Sequence, residues 1–501
     1  MTTLDPIALQ VLVGGLRAAC DEMGAALIRS AYSANIKERH DCSTALFDPA
    51  GELVMQAEHI PVHLGSMPDA VAAVLGKEQR PGRDWILNDP YQGGTHLPDI
   101  TIVSPVFAAE ELLGFAASRA HHADVGGPTP GSMPAFSRTL DEEGVVIPPT
   151  VADPETLARL AAQMRAPDQR LADFHAQMAA NRVGATRLLE LRERLGDEAL
   201  RAGMTEILAY SERRTRAALA DLPDGSYRAE DVLEGDWDGE QRDLRLRVEA
   251  TIAGDSLRLD FSGSEEQVDG NLNCPLSVTK SAAFFAVRVL TDPDAPPSAG
   301  AHRPVEVIVP PGSLLNAGHP AAVAAGNVET SSRVADLVLA ALAQARQGPA
   351  QGQGTMNNLT LANEDFTYYE TLGGGQGACP DAAGPSAVHV AMSNTLNTPV
   401  EALENEFPLR VRELSLREGS GGEGAHRGGE GIARELEALA PMRFTLITER
   451  RRHRPRGSGE AGDGAAGVNL LNGSALPSKA AGELRPGDRL RLETPGGGGW
   501  S

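Results

Sequence analysis

Cysteine is scarce: only Cys20, Cys42, Cys274 and Cys379 occur in 501 residues, and no two form a CxxC or other ligand-spaced pair. A disulfide framework and a zinc ribbon are thereby excluded, and a reducing compartment is expected, with the cytoplasm as default. Aromatic residues make up only 4%, and Lys plus Arg number 45 against 68 acidic residues, a formal charge of −23. Phosphate-backbone binding needs a basic stripe with interleaved aromatics, so no nucleic-acid partner is expected. No apolar run is long enough to span a bilayer, and the opening MTTLDPIALQ has no basic n-region. Neither membrane insertion nor secretion is expected. The glycine-rich stretches 373–377 and 421–424 lack both the GK[ST] ending of a phosphate loop and the GxGxxG turn from strand to helix, so any ATP must bind on another chain. There is no GxSxG elbow for a serine hydrolase and no fixed-period repeat for a solenoid.

What is present is length enough for about three domains and a globular composition, 41% hydrophobic, with 54 glycines gathered into segments. Asp5 and Pro6 read as N-cap and first helical position, and Ile7, Val11, Leu12, Leu16, Cys20, Met23 and Leu27 follow at helical spacing. Over 41–147 short apolar runs alternate with Gly, Pro, Asn and Asp, which predicts strands and functional loops. The Ala/Leu/Arg/Glu-rich stretch 154–222 predicts two or three helices, taken as a helical insert or spacer. DLRLRVEATI and DSLRLDFSGS predict a hairpin, and a helix is predicted over 277–290. Further on, strand, turn and loop lead into a helix whose start Glu329 and Thr330 are placed to cap. The final third is Gly-rich and strand-like. The expectation is a multidomain α+β (mixed α/β) fold, with segments 1–150 (helix plus strand-and-loop metal site), 151–222 (helical), 223–350 (α/β) and 351–501 (Gly-rich, mostly β).

Three stretches concentrate metal-capable side chains beside glycines: ERHD at 38–41, NDPYQGGTHLPD at 88–99 and RAHHADVGG at 119–127. A His and an Asp three apart, as in His96/Asp99 and His121/Asp124, can offer a nitrogen and an oxygen to one ion if the chain turns between them. Such a mixed set suits Zn, Mn, Fe or Co, whereas oxygen alone suits Mg or Ca. Each pair is equally readable as a local hydrogen-bonded turn. Asp41 is either a turn residue or a carboxylate aimed at the same site, and Glu142 and Glu143 either complete the shell or end a loop. His40, His59 and His63, taken singly, read as surface or core histidines. Asp173, Gln177 and Asn181 recur every four residues, a stripe that either lines a cavity or faces solvent, with His175 off it. Cys42 reads as a small buried hydrophobe rather than a nucleophile. The basic run 450–456 (RRRHRPR) reads as a solvated loop, its alternative being contact with an acidic partner surface.

Together, NIKERHDCSTALFD, NDPYQGGTHLPDI, RAHHADVGGPTPGSMP, DFHAQMAANR, GNLNCPLSVTKSA, AAVAAGNVETSSRVAD, GTMNNLT, SNTLNTPVEALE, GSGGEGAHRGGEGIARE and the closing TPGGGGW resemble the hydantoinase B/oxoprolinase family over nearly the whole chain. The resemblance implies a B-type subunit, or the matching half of a fused enzyme, working beside a hydantoinase A-type ATPase of actin-like fold in a hetero-oligomer such as (AB)2. Known activities of the group are ATP-dependent opening of 5-oxoproline, N-methylhydantoin and other lactams, and carboxylation of ketones. It also implies a metal shell of Asp41, His96, Asp99, His121 and Asp124 holding Zn, Mn or Fe, with His122 the near alternative to His121 and ATP/Mg on the partner. Asp41 and His122 are the expected catalytic groups, and Glu143, Asp173, Gln177 and Asn181 the expected substrate pocket. DAAGPSAVHVAMSNT departs from the family pattern after Asp381 and near Ala391, which bears on the lip of the pocket. The loop 450–456 looks particular to this chain. The working expectation is an ATP-dependent cyclic amidase; its rivals are a ketone carboxylase and a non-catalytic scaffold for the ATPase.

Overall fold

The structure, a computed structural model, describes residues 5–58, 60–236 and 241–501. Asp5 starts the first helix as expected: its carboxylate accepts from the Ile7 and Ala8 amides, both at 2.9 Å, and Pro6 follows where no amide is needed. Helix α1 (Pro6–Ser30) buries Leu12, Leu16, Cys20, Met23 and Leu27 on one face, and a single turn, α2 (Ala34–Lys37), precedes the first sheet. That sheet comprises β1 (Cys42–Phe47), β2 (Leu53–Glu58), β3 (Trp85–Leu87), β4 (Asp99–Ala108), β5 (Glu111–His121) and β6 (Thr150–Val151). Its order is β2-β1-β5-β4-β3-β6, antiparallel throughout. Side chains alternate between two cores, so Leu46 and Ala116 face α1 while Phe47 and Phe115 face the opposite side. The second face is covered by α3 (Met67–Leu75), a helix that the strand-and-loop expectation for 41–147 omitted. Its signal was Pro68 in a first turn followed by Ala70, Val71 and Val74 at helical spacing.

Three helices follow, α4 (Pro154–Ala161), α5 (Pro167–Leu195) and α6 (Asp197–Ala220). They are not a spacer, because α5 lies along α1, β4 and β5 as the second layer of the first unit. Nor is the stripe on α5 solvated. Asp173, Gln177 and Asn181 are fully buried and stitch helix to protein. Gln177 Nε2 donates to the Ile100 and Ser118 carbonyls at 3.0 and 3.2 Å, Asn181 Nδ2 to Ile102 O and Ser104 Oγ at 3.0 Å each. Asp173 Oδ1 accepts from the Tyr32 and Ser33 amides. A buried amide can donate to the second lone pair of a sheet carbonyl, a bond that an apolar residue could not make.

The next sheet, in order β10-β9-β8-β7, is built from β7 (Gly225–Glu234), β8 (Asp243–Ala253), β9 (Ser256–Asp260) and β10 (Val305–Ile308), and contains the expected β8/β9 hairpin. Helices α7 (Leu276–Leu290) and α8 (Ser331–Leu342) pair with each other, and α8 packs on β7 and β8. A π-helical turn, Gly326–Thr330, runs unbroken into α8, so no free amides await a cap there. Glu329 instead accepts from the Met356 amide and Asn358 Nδ2, and Thr330 Oγ1 donates to Leu272 O.

Two further sheets close the molecule around one core. One, in order β12-β11-β15-β18, uses β11 (Asn358–Ala362), β12 (Thr367–Glu370), β15 (Met442–Ile447) and β18 (Lys479–Leu484). The other, in order β13-β14-β19-β16-β17, uses β13 (Leu409–Arg417), β14 (Gly431–Ala438), β16 (Val468–Leu471), β17 (Ser474–Leu476) and β19 (Arg489–Glu493), with α9 (Val400–Glu406) leading into it. Between them the glycine runs interleave by backbone bonds: Gly375 N to Pro495 O, Gly422 N to Gly497 O, Gly429 N to Gln376 O and Gly497 N to Gly429 O. A Cβ on Gly375, Gly428 or Gly497 would overlap the carbonyl oxygen of Gly429, Gly497 or Gln376 respectively, so these positions need glycine for close approach. The basic run 450–456 is not a solvated loop either. Arg450 is buried against Asp336 at 2.9 Å, and the Glu234 carboxylate accepts from the amides of Arg451, Arg452 and His453. The acidic surface it meets belongs to β7 and β8 of its own chain, including Asp243. Among the described residues, no helix is long and apolar enough to cross a membrane.

Candidate metal centre

Antiparallel pairing sets Asp99, the first residue of β4, directly opposite His121, the last of β5. Opposed residues on one face bring their side chains together, so the register alone delivers a carboxylate to an imidazole. His96 arrives from the loop before β4. Asn88 Nδ2 donates to Leu97 O and Val145 O, the Asp89 carboxylate accepts from Tyr91 N and Gln92 Nε2, and Gly94 passes so close to Asn88 that a side chain there would overlap its carbonyl. The loop is thus folded on itself and lowers His96 onto the strand ends.

The result is three buried donor atoms in a triangle. His96 Nε2 and His121 Nδ1 each lie 3.1 Å from Asp99 Oδ1 and 3.2 Å from each other. Atoms about 2.1 Å from a shared ion are separated by about 3.0 Å at octahedral angles and about 3.4 Å at tetrahedral ones. The triangle therefore has the size of one coordination face, and two neutral imidazoles with one carboxylate are the donor set expected for Zn, Mn or Fe. The other Asp99 oxygen accepts from Thr95 Oγ1 at 2.7 Å and stands 3.4 Å from His63 Nε2, whose Nδ1 meets Ser43 Oγ at 2.9 Å. Burial would raise the Asp99 pKa, but the surrounding histidines and their hydrogen bonds hold it well below the usual carboxylate range.

Residues 5–501 match the family model of hydantoinase B/oxoprolinase. The chain belongs to that family. Among its relatives, a 5-oxoprolinase of Dictyostelium discoideum is 38% identical over the whole chain, and a protein of a Pseudomonas species named as the B-type subunit of a D-/L-hydantoinase is 32% identical over 99% of it. The chain spans about 40% of the length of the first and 90% of the second. Among solved structures, the ATP-dependent caprolactamase of Pseudomonas jessenii superposes with a TM-score of 0.93 at 29% identity, covering 100% of this chain and 92% of that one. An acetone carboxylase superposes with a TM-score of 0.87 at 18% identity over 99% of this chain and 76% of its own, a likeness of fold.

In this hydantoinase B chain the other expected site residues fall in different places. Asp41 is buried beside the triangle, outside it: its carbonyl accepts from the His121 amide at 3.0 Å, and its charge acts on His63 and Tyr369. Asp124 is taken up by its own loop, accepting from the Gly126 and Gly131 amides at 2.7 Å each and pairing with Arg165 at 3.0 Å. His122 turns to the opposite side from His121, meeting Gln177 Oε1 at 3.0 Å and leaning on Phe174, and burial lowers its pKa to about 4. Glu143 is buried, accepting from the Val323 and Ala324 amides and Ser137 Oγ; burial pushes its pKa up to about 7 despite those donors. Burial also pushes the Cys42 thiol far up, which leaves no thiolate at neutral pH. His59 lies outside the described residues. His63 carried no distinguishing neighbour in sequence; only the fold shows that it faces Asp99. A cleft of about 250 Å³ is lined by residues including Asn35, Asp124, Arg165, Arg170 and Tyr369, the last of which stacks on His121.

Proposed function

We propose that this chain is the metal-dependent hydrolytic part of an ATP-dependent cyclic amidase, opening a lactam or hydantoin ring activated by an A-type ATPase partner in a hetero-oligomer such as (AB)2. The observation that carries it is the buried 3.1–3.2 Å triangle of His96, Asp99 and His121, whose neighbour Tyr369 lines a cleft. Cyclic-amide opening is named for the 5-oxoprolinase, hydantoinase and caprolactamase relatives alike, which supports that substrate class. A Zn, Mn or Fe ion on these three residues would supply Lewis acidity toward water and toward the oxygen borne by the ring carbon. Thr95 and His63 fix the orientation of Asp99, and Asp41 takes the proton of the attacking water. ATP with Mg is used on the partner to phosphorylate the lactam oxygen. One water forms a new C–O bond at the ring carbon and the ring C–N bond breaks as nitrogen gains a proton, leaving an acyl phosphate. A second water hydrolyses that acyl phosphate to the free carboxylate and inorganic phosphate. Because His122 is turned toward Gln177, the proton-accepting role falls on Asp41.

The test is coexpression with an A-type partner and an assay of ATP-dependent loss of 5-oxoproline, hydantoins and caprolactam. His96→Ala and His121→Ala should each lose bound metal and turnover together, and full metal occupancy in both would refute the assignment. Bicarbonate-dependent ATP turnover with a ketone, and none with a cyclic amide, would replace the amidase by a carboxylase. An Asp41→Asn chain that still assembles but turns over no lactam would rule out a mere scaffold.

A further inference from the structure

Both ligand histidines leave their far ring nitrogens, Nδ1 of His96 and Nε2 of His121, without a hydrogen-bond partner among the described residues. A metal-binding imidazole is ordinarily held in plane by a hydrogen bond from that far nitrogen to a carboxylate or carbonyl. His121 therefore needs another restraint against rotation of its ring, and one lies against it. Its ring stacks on that of Tyr369 with centroids 4.6 Å apart and planes 18° from parallel. Tyr369 sits on β12, in a sheet far along the chain from the strands that carry the donor triangle.

The tyrosine is itself fixed from several sides. Its hydroxyl donates to Asn358 Oδ1 at 2.7 Å, and Asn358 Nδ2 donates to Glu329 Oε1 at 2.8 Å. Its carbonyl accepts from Arg39 Nη1 at 2.8 Å, and the Arg39 guanidinium stands 5.2 Å from the ring centroid. Arg39 Nη2 in turn donates to Thr371 Oγ1 at 2.7 Å and Thr395 Oγ1 at 3.2 Å. A ring so anchored presents one fixed plane to its neighbour, and stacked aromatic pairs favour a defined geometry beyond mere burial.

We propose that Tyr369 is a positioning residue for the metal centre: the C-terminal sheet supplies an aromatic platform that sets the plane of the His121 imidazole, replacing the absent hydrogen bond at Nε2. The inference rests on the proposed metal-dependent reading. It is tested on the purified full-length chain by competing Zn²⁺ against a chromophoric chelator, for wild type, Tyr369→Phe, Tyr369→Leu and His96→Ala, with melting of the zinc-free proteins measured in parallel. The Leu chain should bind zinc about 10–100-fold more weakly, the usual effect of losing an outer partner of a ligand. The Phe chain should bind as wild type does, and zinc-free melting establishes that each chain compared is folded at the temperature of the titration. Tyr369→Met, which fills similar volume without a ring, carries the same expectation where the Leu chain does not fold. Wild-type affinity in the ring-less variant overturns the inference alone, as does a Phe chain that loses as much as the Leu chain. A wild type that binds zinc no better than His96→Ala overturns the metal reading, and this inference falls with it.

Discussion

At the residue scale, the molecule separates carboxylates that carry charge from those that do not. Asp99 is kept ionised by its histidines, whereas burial and the nearby Glu449 charge raise the Glu329 pKa to about 8. A carboxyl raised above its unfolded value adds stability that is complete below the unfolded pKa of 4.5 and fades as pH rises through about 8. Glu329→Gln is neutral throughout, so its melting temperature should vary less than that of wild type between pH 5 and pH 9 and should exceed it at the alkaline end. Melting curves across that range check this; parallel curves for the two proteins would show that Glu329 is ionised in the fold. Sequence reading singled out His96, Asp99 and His121, which the fold brings together, because metal-capable side chains clustered beside glycines. It weighed His63 lightly and grouped Asp124 with the ligands, since HxxD spacing fixes chain distance and not the direction of a side chain. Asp124 proves to serve the turn that the same spacing equally allowed.

At the element scale, helix α5 is bound to the first sheet by amides as well as by apolar packing. Replacing Asn181 by Leu would remove its hydrogen bonds to Ile102 O and Ser104 Oγ from a dry seam, each worth about 0.5–1.5 kcal/mol. The first melting transition should fall accordingly, by more than for an exposed α5 residue such as Arg182→Leu. An equal fall in both would mean the seam contributes nothing particular. Helix existence here was legible from composition. The burial of a polar stripe was not, because period alone cannot tell a seam of backbone-bonded amides from a solvated face. The same limit applies to 450–456, whose acidic counterpart on β7 and β8 lies about 210 residues away in the chain. The π turn before α8 was hidden for a local reason: Glu329 and Thr330 have the composition of a cap, and only their distant partners reveal otherwise.

At the scale of the whole molecule, the mixed α/β architecture followed from the alternation of periodicities, but the joining of its parts did not. The gathered glycines predict tight turns and close backbone approaches, and these runs take the second course, as segments whose backbones touch. Gly497→Ala would place a methyl group on Gln376 O, and refolded protein should show lost or sharply lowered melting of the C-terminal unit with the first sheet retained. Limited proteolysis with intact-mass analysis distinguishes that outcome from a uniformly weakened chain.

Arg39 and Tyr369 clasp one another across 330 residues of sequence. During synthesis the donor triangle therefore leaves the ribosome long before its platform exists. On the proposed metal-dependent reading, a nascent chain stalled short of β12 would present the His121 imidazole with no fixed plane, and metal loading would be an event of late biogenesis that waits for the far sheet to dock.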